Sequence, residues 1–319
     1  MQSDWTETPI PDYNLAVNGL LNDIIFKIVF GTQKNEICLL GLINSLLGLT
    51  GPEKVLELTL LNPTLDKEYA IQRNAILDVR ARDGLGQFYN IEIQVRSETD
   101  YIHRSLFYLS RMYGQQLEQG DDYARLSRCV GISILDFRLF EHTSDLHSTF
   151  HFYDVVHQHR LTDFLEIHYI ELSKFNLKLS EELNTHFEKW LYLLKFGERF
   201  RLENEPIPKE LQEEESIVMA IDSMRKAYAT DEVKEMLEMR LKAEWDYNSG
   251  LARAKAEGKA EGKAEGKAEG KAEGKAEGKA EGEAEGEAKA RLLLAKKLKA
   301  RGTDDPSILE LTGIDPAQL

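Results

Sequence analysis

The sequence predicts an α/β domain, because helical and strand patterns alternate along its first half. The clearest pattern lies at residues 75–96, where two runs of alternating apolar and polar residues flank the break Gly84-Leu85-Gly86, as in a β-hairpin. Apolar residues at helical spacing occupy residues 22–31 and 101–119, before and after this hairpin. A strand of buried character at residues 129–137 completes the predicted order αβββαβ.

The remaining elements follow from periodicity and from capping residues. They are a helix at 34–47, a first strand at 55–61, strands at 149–153 and 164–170, helices at 180–198, 209–229 and 231–245, and short helical segments at 290–300 and 307–311. Ser180 is the predicted cap of the helix that follows it. The helix at 101–119 is expected to pack on the sheet through Ile102, Leu106, Leu109, Tyr113 and Leu117.

The alternation also predicts the register of the hairpin, since only a three-residue loop places apolar residues opposite apolar residues. The expected pairs are Leu77–Ile93, Val79–Ile91 and Ala81–Tyr89 on one face and Ile76–Gln94, Asp78–Glu92 and Arg80–Asn90 on the other. A two-residue loop would instead place Asp78 opposite Ile91 and mix the two faces.

In this register the Asp78 and Glu92 side chains lie directly opposite, with Cβ atoms about 5 Å apart. Two carboxylates at that distance repel each other unless a positive charge lies between them. Mg²⁺ is commonly held by one or two carboxylates together with phosphate oxygens. Gln94, on the same face, can orient a water molecule or a phosphate oxygen. The pattern therefore indicates a metal site on the hairpin.

A second interpretation stays open, in which the polar face is solvated and Arg80, Arg82 and Arg96 neutralise the acids. Residues 73–128 contain eight Arg and eight Asp or Glu, so this window is neutral in a chain of net charge −15. All of its cations besides histidine are arginines, the side chain best suited to phosphate. This local balance is a weak indication of nucleic-acid binding.

Asp78 followed by Glu92-Ile93-Gln94 resembles the Asp…(Asp/Glu)-x-Lys signature of the PD-(D/E)XK nuclease superfamily, with Gln94 in the place of the lysine. The chain more closely resembles the recombination-promoting nuclease (Rpn) or transposase family, in which glutamine stands at that position. This resemblance covers about residues 22–175. Its motifs are Asp23-Ile24-Ile25-Phe26-Lys27-Ile28-Val29-Phe30-Gly31, Leu77-Asp78-Val79, Tyr89-Asn90-Ile91-Glu92-Ile93-Gln94 and Ile134-Leu135-Asp136-Phe137.

The resemblance implies a restriction-endonuclease-like core and Mg²⁺-dependent, or other divalent-cation-dependent, cleavage of DNA. It implies that Asp78, Glu92 and the Ile93 carbonyl hold the metal and that Gln94 has a positional role. Asp23 and Glu36 are alternatives for a third acidic ligand. For Asp23, a plain ion pair with Lys27 on the same helix face is an equal alternative to a role as a ligand. The residues expected to contact DNA are Lys27, Arg80, Arg96 and Arg104.

A catalytically silent DNA-binding or assembly module on the same fold is the alternative function. It is favoured by the glutamine in the signature and by the acidic total charge, because nucleic-acid affinity comes largely from cations meeting phosphates. Homo-oligomers are left open. With two cysteines, no apolar stretch long enough to span a bilayer and no basic-then-apolar N-terminus, we expect a cytoplasmic protein without a membrane partner.

Five segments are expected along the chain: a flexible lead-in at 1–21, the nuclease-like domain at 22–175, a helical extension at 176–250, a low-complexity spacer at 251–289 and a short helical tail at 290–319. In the spacer, Lys-Ala-Glu-Gly repeats seven times from Lys255 to Gly282. Lysine and glutamate are never three or four residues apart within it, so no attractive helical pair forms, and each glycine costs about 1 kcal/mol relative to alanine. We therefore expect a polar spacer that is helical only in part.

Overall fold

The computed structural model describes residues 19–61, 78–178 and 180–319. The backbone divides into two compact units, Met1–Trp245 and Asp246–Leu319. Most of the expected lead-in and the hairpin pairs that involve Ile76 and Leu77 fall outside the described residues. No helix in the described ranges is long and apolar enough to cross a lipid bilayer.

The order αβββαβ is confirmed. The α-helices are α1 Asp23–Phe30, α2 Glu36–Leu46, α3 Tyr101–Gly114, α4 His186–Phe196, α5 Lys209–Gln212, α6 Glu215–Ala229, α7 Asp231–Ala300 and α8 Asp305–Thr312. The strands are β1 Leu58–Leu60, β2 Val79–Asp83, β3 Phe88–Gln94, β4 Cys129–Leu135, β5 His147–His151 and β6 Leu165–Glu171. In the described part of the chain they form one six-stranded sheet in the order β1-β2-β3-β4-β6-β5.

The predicted register of the β2–β3 hairpin is also confirmed. Val79 pairs with Ile91, and the Asp83 amide donates to the Gln87 carbonyl at 3.0 Å to close the three-residue loop. Gly86 has a φ of +85°, a conformation that glycine adopts without the strain of a side chain. β3 then pairs in parallel with β4, so the hairpin joins an antiparallel edge to a parallel centre.

The two faces of the sheet are covered differently. One face carries the larger core, in which Val79, Ile91 and Ile132 pack with apolar side chains from α1, α2, α4 and α6. The other face is covered by α3, whose Tyr101 and Leu109 share a smaller core with β4 and β6. The polar residues of β3 face the α3 side, since side chains alternate along a strand.

The packing face of α3 agrees with the prediction at Leu109 and at the partly buried Tyr113, which pack on the sheet, and differs at the other positions. Its buried residues are Tyr101, Ser105, Leu109 and Met112. Ile102 and Leu106 are 40% and 44% exposed, and the helix ends at Gly114, before Leu117. The difference arises because the Tyr101 ring contacts Phe137 and Tyr169 edge-on at the start of the helix, which rotates the buried stripe by one residue.

The cap predicted for the next long helix was also wrong. Ser180 lies in a separate 3-10 turn, and Thr185 caps α4 in a capping box with Glu188. Trp190 and Leu191 of α4 are almost fully buried. Helix α6 contacts both α1 and α2, so the first compact unit includes helices well beyond the hairpin region.

The low-complexity repeat differs from the prediction as well. It lies inside α7, a continuous helix of 70 residues whose repeat side chains are all exposed. Among the described side chains of α7, the ion pairs four residues apart lie at the flanks of the repeat, as between Arg253 and Glu257 and between Lys279 and Glu283. The helix runs on from residues 231–254 and continues into residues 287–300, so no separate helical turn has to be nucleated within the repeat.

Candidate active site

Asp78 and Glu92 lie on the face of the hairpin that α3 covers. Asp78 immediately precedes β2, one residue before the Val79–Ile91 pair, so the register places it opposite Glu92. Both side chains are buried, since Asp78 is 8% and Glu92 is 5% exposed. Two carboxylates are thus held next to each other with little access to bulk water.

The buried position of Glu92 changes the pKa of its carboxyl group. Burial raises the pKa of the Glu92 carboxyl above its usual range, and the charges of Asp78 and Glu98 raise it further. The Tyr101 hydroxyl and the Arg104 guanidinium act in the opposite direction and lower the pKa. The carboxylate form of Glu92 is therefore costly here, and a cation placed between the two acids would stabilise it.

Two basic side chains contact Asp78, one at its carboxylate and one at its backbone carbonyl. Arg80 Nε contacts Asp78 Oδ2 at 2.6 Å. The Lys27 ammonium, from α1, donates a 2.8 Å hydrogen bond to the Asp78 backbone carbonyl. Lys27 is only 4% exposed, and burial lowers its pKa to about 8 although the Asp78 charge opposes the shift. These contacts fix both the backbone and the carboxylate of Asp78.

The Gln94 amide is oriented by its neighbours. Its Oε1 accepts a hydrogen bond from Arg104 Nη2 at 3.0 Å, while its Nε2 donates to the Arg96 carbonyl at 3.1 Å. Arg104 also forms an ion pair with Glu98 and approaches Glu92 Oε1 at 3.6 Å, and its guanidinium lies over the Tyr101 ring. A single arginine thus connects Gln94 with two of the nearby acids.

The structure gives the two alternatives for a third acidic ligand other partners. Asp23 Oδ2 pairs with Arg240 Nη2 of α7 at 2.9 Å. Glu36 Oε1 accepts a 2.8 Å hydrogen bond from the backbone amide of Leu58, at the start of β1. Across the described ranges, no three His, Cys, Asp or Glu side chains converge in a way that could hold a metal ion. Both acids therefore have partners outside the hairpin in this structure.

The remaining residues suggested by the sequence fall in different places. Arg80 is about one-third exposed and Arg96 is exposed, so both can reach the surface beside the hairpin. Lys27 lies beneath Asp78 instead. The Ile93 side chain belongs to the larger core, which leaves its backbone carbonyl between Glu92 and Gln94 on the strand.

Sequence reasoning missed three contributors to this region. Tyr101 and Glu98 surround Glu92 from the segment after β3, and the Asp136 amide donates to the Gln94 carbonyl at 3.0 Å. Asp136 was part of a quoted motif but received no role. The signal that could have identified Tyr101 and Glu98 is their position directly after β3, where a helix must begin beside the paired acids.

The mixed sheet in the order αβββαβ, with two acids on its hairpin, defines an α/β protein of the PD-(D/E)XK nuclease-like class. The family model described as PD-(D/E)XK nuclease family transposase matches residues 20–254, and the chain belongs to this family. No curated protein and no solved structure matches the chain.

Proposed function

We propose that the protein is a metal-dependent DNA endonuclease that acts in recombination or transposition. The observation that carries the proposal is the pair of buried carboxylates, Asp78 and Glu92, held opposite each other on the hairpin. The family supports action on nucleic acid, and the arginines beside the hairpin supply suitable phosphate contacts.

The donor set fits a hard divalent cation such as Mg²⁺. Asp78, Glu92 and the Ile93 carbonyl would hold it, and substrate phosphate oxygens would complete its coordination. When bound, the ion supplies Lewis-acid polarisation of the phosphate and a lowered pKa for a water molecule. The fit rests on the burial of two carboxylates opposite each other, Asp78 and Glu92, because a cation between them relieves their repulsion.

The chain's own side chains position the substrate. Gln94 has no titratable group, so its amide orients a water molecule or a phosphate oxygen and does not take up a proton. Arg80 and Arg96 contact the DNA backbone from the surface, and Arg104 does so next to Gln94. Lys27 supplies a buried positive charge under Asp78 that favours an anionic phosphate above it.

Incubation of purified protein with supercoiled plasmid tests the proposal. We expect nicked or linear products with Mg²⁺ and none with EDTA. Glu53→Gln is a control variant. It removes an exposed acid outside the site and should cleave like the parent. Plasmid that stays supercoiled under every metal condition would overturn the endonuclease.

The same reaction examines the second candidate, a catalytically silent DNA-binding or assembly module. The observation that favours it is the contact of Arg104 with Gln94 and Glu98, which gives the glutamine amide and a nearby acid a partner within the protein. Retarded but uncut plasmid, with equal binding in Mg²⁺ and EDTA, is the result expected from that module.

A further inference from the structure

A short basic segment near the end of α7 has no role in the nuclease site. Residues 289–301 contain six of the chain's 40 Lys and Arg residues and none of its 55 Asp and Glu residues. Because the whole chain carries −15 and this segment carries +6, the remaining residues carry −21. The basic segment is thus a sharp local reversal of charge in an acidic protein.

The six cations of the basic segment are all exposed. Two of them pair with the preceding glutamates, Lys289 with Glu285 at 3.0 Å and Arg291 with Glu287 at 3.3 Å. The helix dipole explains a preference for cations in a last helical turn, but its effect fades within that turn. The cations of the basic segment extend over more than three turns, so the dipole accounts for only part of them.

Three of these cations are available to a partner. Lys296, Lys297 and Arg301 take part in none of the side-chain ion pairs within the described ranges. They project in different directions, since successive helical residues are rotated by about 100°. A flexible polyanion can meet charges distributed in this way along its own backbone.

The apolar residues of the basic segment distinguish nucleic acid from a membrane surface. Leu292, Leu293 and Leu294 are consecutive and 39% to 56% exposed. Three consecutive helical positions spread over about 200° and are interleaved with cations, so no single apolar face forms. Helices that lie on lipid need such a segregated face, whereas contacts to phosphates do not.

We infer that the basic segment is a second DNA contact, which binds phosphates independently of the hairpin site. It rests on the proposed function only for the choice of DNA as the polyanion. Residues 246–288 join it to the first unit in one chain, so it raises the effective concentration of the nuclease domain near bound DNA. Its contribution is retention on the substrate, without base recognition.

Binding of the full-length chain to a 30-base-pair duplex, followed by fluorescence anisotropy in EDTA, tests this inference. Asp78→Ala serves as the parent, so that cleavage plays no part in the result. Replacement of Lys296, Lys297 and Arg301 by glutamine should weaken binding at least tenfold near physiological salt. The slope of log affinity against log salt should fall by about 2.7, at roughly 0.9 for each lost phosphate contact.

The repeat provides a control with the same change in charge. Replacement of Lys267, Lys271 and Lys275 by glutamine removes three cations from a stretch in which glutamates alternate with them. This variant should bind nearly as tightly as the parent. The charge-preserving double variant Lys296→Arg/Lys297→Arg should also retain binding, with circular dichroism as the check on folding.

The two triple variants decide the result. An equal loss of DNA affinity in both triple variants would mean that total charge matters and the basic segment does not. An unchanged affinity in both variants would also overturn the inference, as would a parent that does not bind DNA at low salt. Binding of the parent to phosphatidylserine vesicles but not to DNA would assign the basic segment to lipid. Failure of the nuclease alone would appear as intact binding with no plasmid cleavage by the unmutated chain.

Discussion

The Lys27 ammonium donates a 2.8 Å hydrogen bond to the backbone carbonyl of Asp78, and this contact joins the first helix to the start of β2. Lys27→Met introduces an unbranched apolar side chain of similar length and removes the ammonium charge and the hydrogen-bond donor. We expect cleavage to fall by about 100-fold, because small displacements of a reacting geometry have effects of that order. Plasmid nicking rates under Mg²⁺ measure the change.

Lys34→Met is the matched control for this substitution, since Lys34 is exposed on the segment before α2. It should nick plasmid at the rate of the parent. Far-ultraviolet circular dichroism should be the same for both variants. Full activity of Lys27→Met would show that the contact with Asp78 is dispensable.

Glu92→Gln should stabilise the metal-free protein at neutral pH. The pKa of Glu92 is raised in the folded state, mainly by burial, so the folded state binds more protons than the unfolded state between the two pKa values. Stability is therefore lost as the pH rises through that window, and a neutral amide avoids the loss. The melting temperature in EDTA should be higher for the variant at pH 7.5, with the gain shrinking towards pH 4.

Addition of Mg²⁺ should reverse the order of these melting temperatures. The parent gains stability from the bound ion, whereas Glu92→Gln has lost a ligand and should gain little. Glu53→Gln, an exposed substitution, should follow the parent in both buffers. A variant that melts below the parent in EDTA at pH 7.5 is incompatible with a costly buried charge at Glu92.

His147 should make the fold sensitive to mild acid. Its Nε2 lies 2.8 Å from Nδ1 of His168, and its ring stacks on Phe187. Burial lowers the pKa of His147 to about 4, with His168 lowering it and Glu166 raising it. The unfolded chain therefore binds more protons between about pH 6.5 and 4, and stability falls as the pH is lowered through that range.

Melting temperatures between pH 7.5 and 5 measure this effect. His147→Gln should show a shallower decline than the parent, while His103→Gln, at an exposed position of α3, should decline as the parent does. Parallel curves for all three proteins would remove His147 from the acid response.

The repeat in α7 should not sustain a helix by itself. Its side chains are all exposed, and its lysines and glutamates are two or six residues apart within the repeat. Without tertiary contacts, the glycine in each unit opposes the helix by about 1 kcal/mol. A peptide of residues 255–286 should therefore show weak helical circular dichroism in water, and the same peptide with alanine in place of each glycine should show a strong signal. Equal, strong signals would mean that the repeat is intrinsically helical.

Local patterns were sufficient to predict the hairpin. The alternation of side chains defines its register, and Asn22 and Gly31 mark the ends of α1, where the Asn22 side chain accepts hydrogen bonds from two backbone amides. These features depend on residues that are close in sequence or paired across one short loop. They follow from periodicity and capping alone.

Contacts between distant segments were beyond the reach of these patterns. The ion pair of Asp23 with Arg240 joins residues 217 positions apart, and it engages one alternative for the third acidic ligand. The contact of Tyr101 with Tyr169 likewise decided which face of α3 is buried. The spacing of apolar residues along the helix does not predict a contact with a distant strand. The residues of the candidate site were proposed from sequence, whereas their contacts with distant segments required the packed structure.

Asp78→Ala provides the most direct test of the proposed endonuclease. The variant and the parent are incubated with supercoiled plasmid in Mg²⁺, and both melting temperatures are measured in EDTA. We predict that the parent cleaves, that Asp78→Ala does not, and that the variant remains folded. Removal of one of two repelling acids offsets the loss of the ion pair with the partly exposed Arg80. Cleavage by Asp78→Ala at the rate of the parent would contradict the account, because the activity would then arise outside the paired carboxylates.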